Sequence, residues 1–132
     1  MNYYETKIRV RYGETDKMGV VYHANYANYF EIGRTEWLRS LGITYASMEK
    51  NGIMLPVISL HIDYKNSAFY DDMLTLKTTL IETPTVRIKF EYELRNQNLD
   101  LLVTGRTDLV FMSIEKHKPT RCPEYLLDKL LK

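Results

Sequence analysis

From Tyr4 to Tyr12 the chain alternates. Ile8, Val10 and Tyr12 fall on one side, and Lys7, Arg9 and Arg11 on the other. A period of two is that of a half-buried strand. Gly13 to Gly19 reads as a turn. From about Ala24 to Leu41 the period changes, and Tyr26, Phe30, Gly33, Trp37 and Leu41 recur at helical spacing to define one apolar face. Gly33 costs a helix on the order of 1 kcal/mol relative to Ala. On the apolar face its missing side chain lets a sheet approach closely. Gly42 fits the position just past the helix end. A short helical piece is expected near Tyr45 to Lys50, and the chain turns at Asn51-Gly52.

Everything after that turn, as far as Lys116, reads as strands. "LPVISLHIDYK" is one, and Met73 to Glu82 is the next, with Pro84 marking a turn. "VRIKFEYEL" alternates cleanly, with Val86, Ile88, Phe90, Tyr92 and Leu94 against Arg87, Lys89, Glu91 and Glu93. "RNQN" turns into "LDLLVTGRTDLVFMSIEK", a last long strand with Gly105 as the candidate bulge. Pro123 starts a terminal helix whose apolar side carries Leu126, Leu127, Leu130 and Leu131. There is no internal repeat, linker or low-complexity segment. The order is one strand, one long helix, then four strands, in a single domain over residues 1–132. One helix stripe must be buried by one sheet face, which an antiparallel sheet curved around the helix achieves. The open edges of such a sheet call for a second copy, so a homodimer or a homotetramer is expected.

Composition narrows the function classes. The 132 residues suit one domain, and 45% hydrophobic residues is an ordinary globular value. A formal net charge of +1 without a basic run argues against a reader of nucleic-acid backbones. No apolar run reaches the length of a membrane span. The amino-terminal residues alternate and carry charge, unlike a signal peptide. A lone Cys122 cannot form an internal disulfide, so a cytoplasmic location is the simplest expectation. His61 and His117 show no ligand spacing with Asp16 or Cys122, so neither a metal nor another cofactor is expected. Cys122 lacks the setting of a nucleophile.

The chemistry concentrates between Arg11 and Arg34, in "RYGETDKMGVVYHANYANYFEIGR". A carboxylate, a glycine and a histidine crowd just ahead of the helix. Asp16 could be only a turn or cap residue there. A helix start also offers free backbone N–H groups and the positive end of a dipole, which makes Val21-Tyr22-His23-Ala24 a candidate oxyanion hole, worth about 10²–10³ in rate per donor. Acyl transfer needs attack on a carbonyl and donors for the oxyanion that forms, and one carboxylate beside such a hole could supply both.

The same stretch resembles the signature of the 4-hydroxybenzoyl-CoA thioesterase family of hotdog-fold enzymes, and particularly the Tol-Pal-associated bacterial acyl-CoA thioesterases. The likeness is carried by Tyr12, Glu14, Thr15, Asp16, Gly19, Val20, Val21, Tyr22, His23, Asn25, Tyr26, Tyr29, Phe30, Glu31, Arg34, Glu36 and Leu38. Leu55-Pro56-Val57, "YDDML" and the Pro123 helix extend it over nearly the whole chain. The resemblance implies an α+β hotdog fold, with about five antiparallel strands curved around one long central helix. It also implies hydrolysis of acyl-CoA, or alternatively of acyl carrier protein thioesters. Asp16 takes the place of the catalytic carboxylate, either as general base or as nucleophile, and His23 the place whose backbone N–H binds the thioester oxygen. The partner subunit completes each pocket.

Further residues carry weaker expectations. Tyr12 and Tyr22 are core or pocket wall, with a polar contact to substrate as the alternative. Glu31 either faces the acyl pocket or pairs with Arg34 or Thr35. Met54, Leu55 and Pro56 line the acyl channel from the partner subunit, or are ordinary core. Arg87 and Lys89 are candidates for coenzyme A phosphates or an acidic carrier helix, and equally fit a solvated strand face. Glu14, two residues from Asp16, is expected to matter much less. A non-catalytic acyl-thioester binding module on the same fold is the alternative from another class, and the intact Asp16 argues against it.

Overall fold

A computed structural model describes residues 2–130. Strand β1 (Tyr3–Arg9) is followed by a 3-10 turn at Tyr12–Glu14 and by helix α1 (Asn25–Ser40). Helix α2 (Tyr45–Lys50) and strands β2 (Ile53–Met54), β3 (Val57–Tyr64), β4 (Met73–Leu80), β5 (Arg87–Arg95) and β6 (Leu101–Val110) come next. Two short strands, β7 (Met112–Ser113) and β8 (Lys118–Pro119), and helix α3 (Glu124–Leu130) complete the order. The main sheet runs β1-β4-β5-β6-β3, antiparallel throughout. A second sheet holds β2, β7 and β8.

The expected helix boundaries hold to within a residue at either end. Ile8 and Val10 are buried as the alternation requires, but Tyr12 is not on that face. The strand ends at Arg9, and Tyr12 turns outward in the 3-10 turn with 78% of its surface exposed. The expected strand from Leu55 to Lys65 is also shorter. Pro56 has no N–H to give a ladder, and it separates β2 from β3. The expected last strand, which ends at Lys116, breaks into β6 and β7, and β8 follows beyond it after a turn with His117 at φ +52°. Leu126 is fully buried beneath α3, while Leu127 and Leu130 are partly buried. Leu131 lies outside the described residues.

Two glycines set how closely α1 meets the sheet. A Cβ on Gly33 would come within 2.6 Å of Leu76 Cδ2 and closer still to Thr78 Oγ1, so the helix touches β4 only because that side chain is missing. Gly105 keeps regular register with Ile62 of β3 and Tyr92 of β5, so it is not a bulge. The register shifts lie instead between Val57 and Ser59 and between Leu94 and Arg95. A Cβ at 105 would run into the Phe30 ring and come within 3.0 Å of the His61 carbonyl. The glycine leaves room for Phe30, which stacks on Tyr92 with ring centres 4.1 Å apart.

Strand β3 forms one edge of the sheet and is solvent-exposed along most of its length. Val57, Ile58, Leu60 and Tyr64 stand open there, with Leu60 46% and Tyr64 52% exposed. A strand in this state offers unpaired backbone groups and apolar side chains together.

Gly105→Ala tests the close approach. Alanine stiffens the unfolded chain, which alone would stabilise by about 0.4–1 kcal/mol. Overpacking against Phe30 costs about 1–3 kcal/mol. Urea denaturation should therefore show a net loss of stability, and unchanged or higher stability would contradict the packing described.

Candidate active site

Asp16 and Gly19 define a tight turn. The Asp16 N–H donates to the Val20 carbonyl at 2.9 Å, and the Gly19 N–H donates to the Asp16 carbonyl at 3.0 Å. Gly19 has φ +80°, where a side chain would be strained. Oδ1 of Asp16 accepts from the Met18 N–H at 2.9 Å and more distantly from the Val20 N–H at 3.4 Å. A carboxylate that bonds its own turn in this way is a common turn former. Here it uses one oxygen only. Among the described residues Oδ2 has no hydrogen-bond partner, and Asp16 is exposed.

Glu14 ties this turn to the helix. Its Oε1 accepts from the Arg11 N–H at 2.9 Å and from the Tyr29 hydroxyl at 2.9 Å, and its Oε2 accepts from Arg11 Nε at 3.1 Å. Its carbonyl accepts from the Tyr22 N–H and from Asn25 Nδ2, both at 2.9 Å. Burial, and then the bond to Glu14, push the Tyr29 phenol far above its ordinary range, so it acts as a neutral donor. The Arg11 guanidinium is mostly in water, so its ion pair adds little beyond geometry. Glu14 is therefore the fastening between the turn and α1. Its sequence position, two residues from another acid, carries no sign of that role.

The helix begins without a side-chain cap, at Ala24 with φ −70° and ψ −19°. The four N–H groups proposed for an oxyanion hole divide into two pairs. Val21 donates to the Ala68 carbonyl at 2.8 Å and Tyr22 donates to Glu14, so both are used. Among the described residues the His23 and Ala24 N–H groups have no acceptor. Tyr64 donates its hydroxyl to the His23 carbonyl at 3.2 Å and packs edge-on against Tyr26, with ring centres 5.6 Å apart.

A cleft of about 290 Å³ brings these groups together. Asp16, Val20, Val21, His23, Tyr26 and Tyr64 line it, along with Lys65, Asn66 and Ser67. Nothing in the sequence singles out the last four: Tyr64 ends β3, Lys65 to Ser67 follow it as an ordinary polar turn, and only the fold brings them to Asp16. The segment is fixed, because the Lys65 and Asn66 N–H groups donate to the Leu102 carbonyl and Asn66 Nδ2 donates to the Leu101 carbonyl.

Other expected site residues lie elsewhere. Tyr22 is half-exposed and packs on the His23 ring at 4.4 Å, outside the cleft lining. Tyr12 packs edge-on against Tyr70. Glu31 borders a separate groove with Arg11, Glu14, Asn28 and Ile32. Its carbonyl accepts from Thr35 Oγ1 at 2.8 Å, whereas the buried Arg34 reaches Tyr92 at 3.3 Å instead. Met54 pairs with Met112 across β2 and β7, Leu55 packs on the core, and the Pro56 carbonyl accepts from Val110. None of the three lines the Asp16 cleft within one chain. Arg87 is exposed at the start of β5, and Lys89 Nζ lies 3.2 Å from Glu82 Oε1. Burial pushes the Cys122 thiol up to about 12, so it stays protonated at neutral pH and is no nucleophile.

The thioesterase-like superfamily matches residues 10–130. The chain belongs to this family. It is 36% identical over 124 residues to the acyl-CoA thioesterase YbgC of Haemophilus influenzae, covering 93% of this chain and 90% of that one. The acyl-CoA thioester hydrolase YbgC of Escherichia coli is 29% identical over 120 residues, covering 91% and 90%. A solved DHNA-CoA thioesterase from Staphylococcus aureus superimposes with a TM-score of 0.90 at 42% identity, covering 97% of this chain and 86% of that one. The thioesterase-like chain thus has the hotdog-type α+β fold with its five-stranded antiparallel sheet. Among the described residues no helix is long and apolar enough to cross a membrane.

Two Glu14 variants separate the fastening from mere charge. Glu14→Ala strands the Tyr29 hydroxyl and the Arg11 N–H and should cost about 1–3 kcal/mol in thermal or urea unfolding. Glu14→Gln keeps an oxygen for both donors and should cost clearly less. Equal effects of the two would contradict the role assigned to Glu14.

Proposed function

We propose that this protein hydrolyses acyl-CoA thioesters. The observation that carries the reading is one cleft holding a carboxylate with an unclaimed oxygen, Asp16, and a helix start whose His23 and Ala24 N–H groups have no acceptor. In the simpler route Oδ2 of Asp16 takes a proton from water as the water oxygen attacks the thioester carbon. The oxyanion draws hydrogen bonds from the free N–H groups. The C–S bond then breaks, and the thiolate leaves without a strong acid because thiols ionise near 8.5. In the second route the carboxylate itself attacks and expels the thiolate, and water then opens the mixed anhydride. His23 enters through its main chain in both. Val21 and Tyr22 are spent on holding the loop, which narrows the hole to the two residues after them.

The chain acts as one hotdog domain with α1 as its central helix, and as a homodimer. Two β3 edges paired antiparallel about a two-fold axis would set Val57 of one copy against the Tyr64 end of the other. The partner's Met54-Leu55-Pro56 segment then lies beside the cleft and supplies the acyl channel. Both the exposed apolar edge and the openness of the cleft favour this arrangement. Two such dimers could assemble further into a tetramer.

Coenzyme A is put ahead of acyl carrier protein as the thiol carrier. An acidic carrier helix needs a basic rim from Arg87 and Lys89, and Lys89 is occupied by Glu82. Arg87 remains the candidate for a phosphate contact. Tyr12 and Tyr22 flank the loop, and Glu31 faces the neighbouring groove, where a bound acyl group could reach it. A cytoplasmic setting fits this chemistry. No step in either route requires a metal or an organic cofactor.

Asp16→Asn tests the central residue. An asparagine oxygen can still accept from Met18 and Val20, so the turn persists, but the charge and the proton acceptor are gone. Release of free thiol from acyl-CoA should slow by about 10²-fold or more, mainly in kcat. Near-normal turnover would sink the assignment. For the assembly, light scattering at micromolar concentration should give at least a dimer, and Leu60→Asp should shift it toward monomer with loss of turnover. A stable, active monomer would overturn the shared pocket.

A further inference from the structure

Resting on the thioesterase reading, we infer that Asp72 is a positioning residue for the reaction: it holds a turn at residues 69–72, and that turn holds the loop carrying Asp16, independently of Glu14. The loop meets the turn along its backbone. Val20 and Phe69 form an antiparallel bridge, and the Tyr70 N–H donates to the Gly19 carbonyl at 3.3 Å. The Val21 N–H donates to the Ala68 carbonyl just before the turn. Val20 is in turn bonded to Asp16 in both directions. Its carbonyl accepts from the Asp16 N–H at 2.9 Å, and its N–H donates to Oδ1 at 3.4 Å. Where residues 68–70 stand therefore sets where the free oxygen of Asp16 stands.

The turn does not hold itself. The Asp72 N–H donates to the Phe69 carbonyl at 3.1 Å, which closes four residues with Asp71 third, at φ +69°. That position ordinarily takes glycine, and an aspartate persists there only where the surroundings impose it. Two backbone bonds with Val10 anchor residues 71 and 72. The Phe69 end is held by the Asp72 side chain. Its Oδ2 accepts from the Phe69 N–H at 2.9 Å, and its Oδ1 accepts from Gln97 Nε2 at 3.0 Å. Gln97 reaches it from the hairpin between β5 and β6, 25 positions away, and its own Oε1 accepts from the Met73 N–H at 3.1 Å. Among the described residues no cation pairs with Asp72, so its carboxylate serves two neutral donors. The order of donors and acceptors along this relay is fixed: position 72 must accept twice, and position 97 must donate at one end and accept at the other. A reacting group misplaced by about 1 Å loses about 10²-fold in rate, so a slack turn should be felt at Asp16 as lost turnover.

The test is a reciprocal exchange. In Asp72→Asn the introduced amide sets a donor against a donor, at Gln97 or, if that amide turns, at the Met73 N–H. In Gln97→Glu two carboxylates meet. In the double variant Asp72→Asn/Gln97→Glu the introduced amide donates to the introduced carboxylate, which still accepts from Met73, and every partner is restored. Release of free thiol from hexanoyl-, palmitoyl- and benzoyl-CoA is followed below the melting transition of each variant, and the substrate that the parent turns over fastest is used throughout. Each single variant should lower kcat by about tenfold or more with KM within about threefold, and the double variant should bring kcat back to within about threefold of the parent. Gln97→Ala, at an exposed position away from the core, should lower kcat in the same sense by about threefold or more, and it decides the matter if Asp72→Asn does not fold. Undiminished kcat in the single variants would overturn the inference. So would a loss carried by KM alone, or a double variant no better than the worse single one. All three outcomes leave the hydrolase reading standing. A parent that releases thiol from none of these substrates would instead sink that reading, and the inference with it.

Discussion

The close seat of α1 on the sheet is the constraint from which the rest follows. Gly33 lets the helix backbone rest on Leu76 and Thr78, and Gly105 opens β6 for the Phe30 ring. With these two contacts fixed, the helix start cannot slide along the sheet. Tyr26, Tyr29 and Asn25 then stand where they can hold the loop before them. The helix start remains open because no side chain caps it, so the His23 and Ala24 N–H groups meet no acceptor among the described residues.

Glu14 carries that order into the site. It bonds Tyr29 and Asn25 of α1 and the Tyr22 N–H, while Asp16 stands two residues farther along the same loop. The two acids divide the work. Glu14 is pinned on both of its carboxylate oxygens and is structural. Asp16 keeps one oxygen free and is, in the proposed reaction, the group that meets water or substrate. The bonds that fasten the loop engage both oxygens of Glu14, whereas Asp16 holds its own turn through Oδ1 alone and leaves Oδ2 for the reaction. The buried Cys122 and the paired Lys89 are removed from the chemistry by the same kind of accounting.

What the sequence made legible was local. The helix is read within a residue because five positions keep a 3.6-residue period and Gly42, at φ +80°, stops it. Strands β4 and β5 are read because they alternate against a single buried face. Asp16 and His23 are close in the chain, so one motif holds both. The misses are non-local or lack a period. Pro56 breaks a strand whose apolar residues face both ways, and β3 is exposed because it is an edge, which no alternation reveals. Gly105 looks like a bulge until Phe30, far away in sequence, is seen to need its space. Tyr64 reaches the His23 carbonyl across 41 positions, and Lys65 to Ser67 look like a plain turn. The fastening role of Glu14 depends on Tyr29 folding back over it, and two neighbouring acids give no hint of which is pinned and which is free.

The central claim is that thioester oxygen and attacking group meet between Asp16 and the helix start, and backbone amide NMR addresses it most directly. The protein is titrated with a non-hydrolysable acyl-CoA analogue in which a methylene replaces the bridging atom and the carbonyl is kept. The account predicts the largest downfield amide proton shifts at His23 and Ala24, where free N–H groups gain an acceptor. Val21 and Tyr22, already bonded, should move far less. Large shifts confined to the groove between Arg11 and Ile32, with His23 and Ala24 unmoved at saturation, would contradict it.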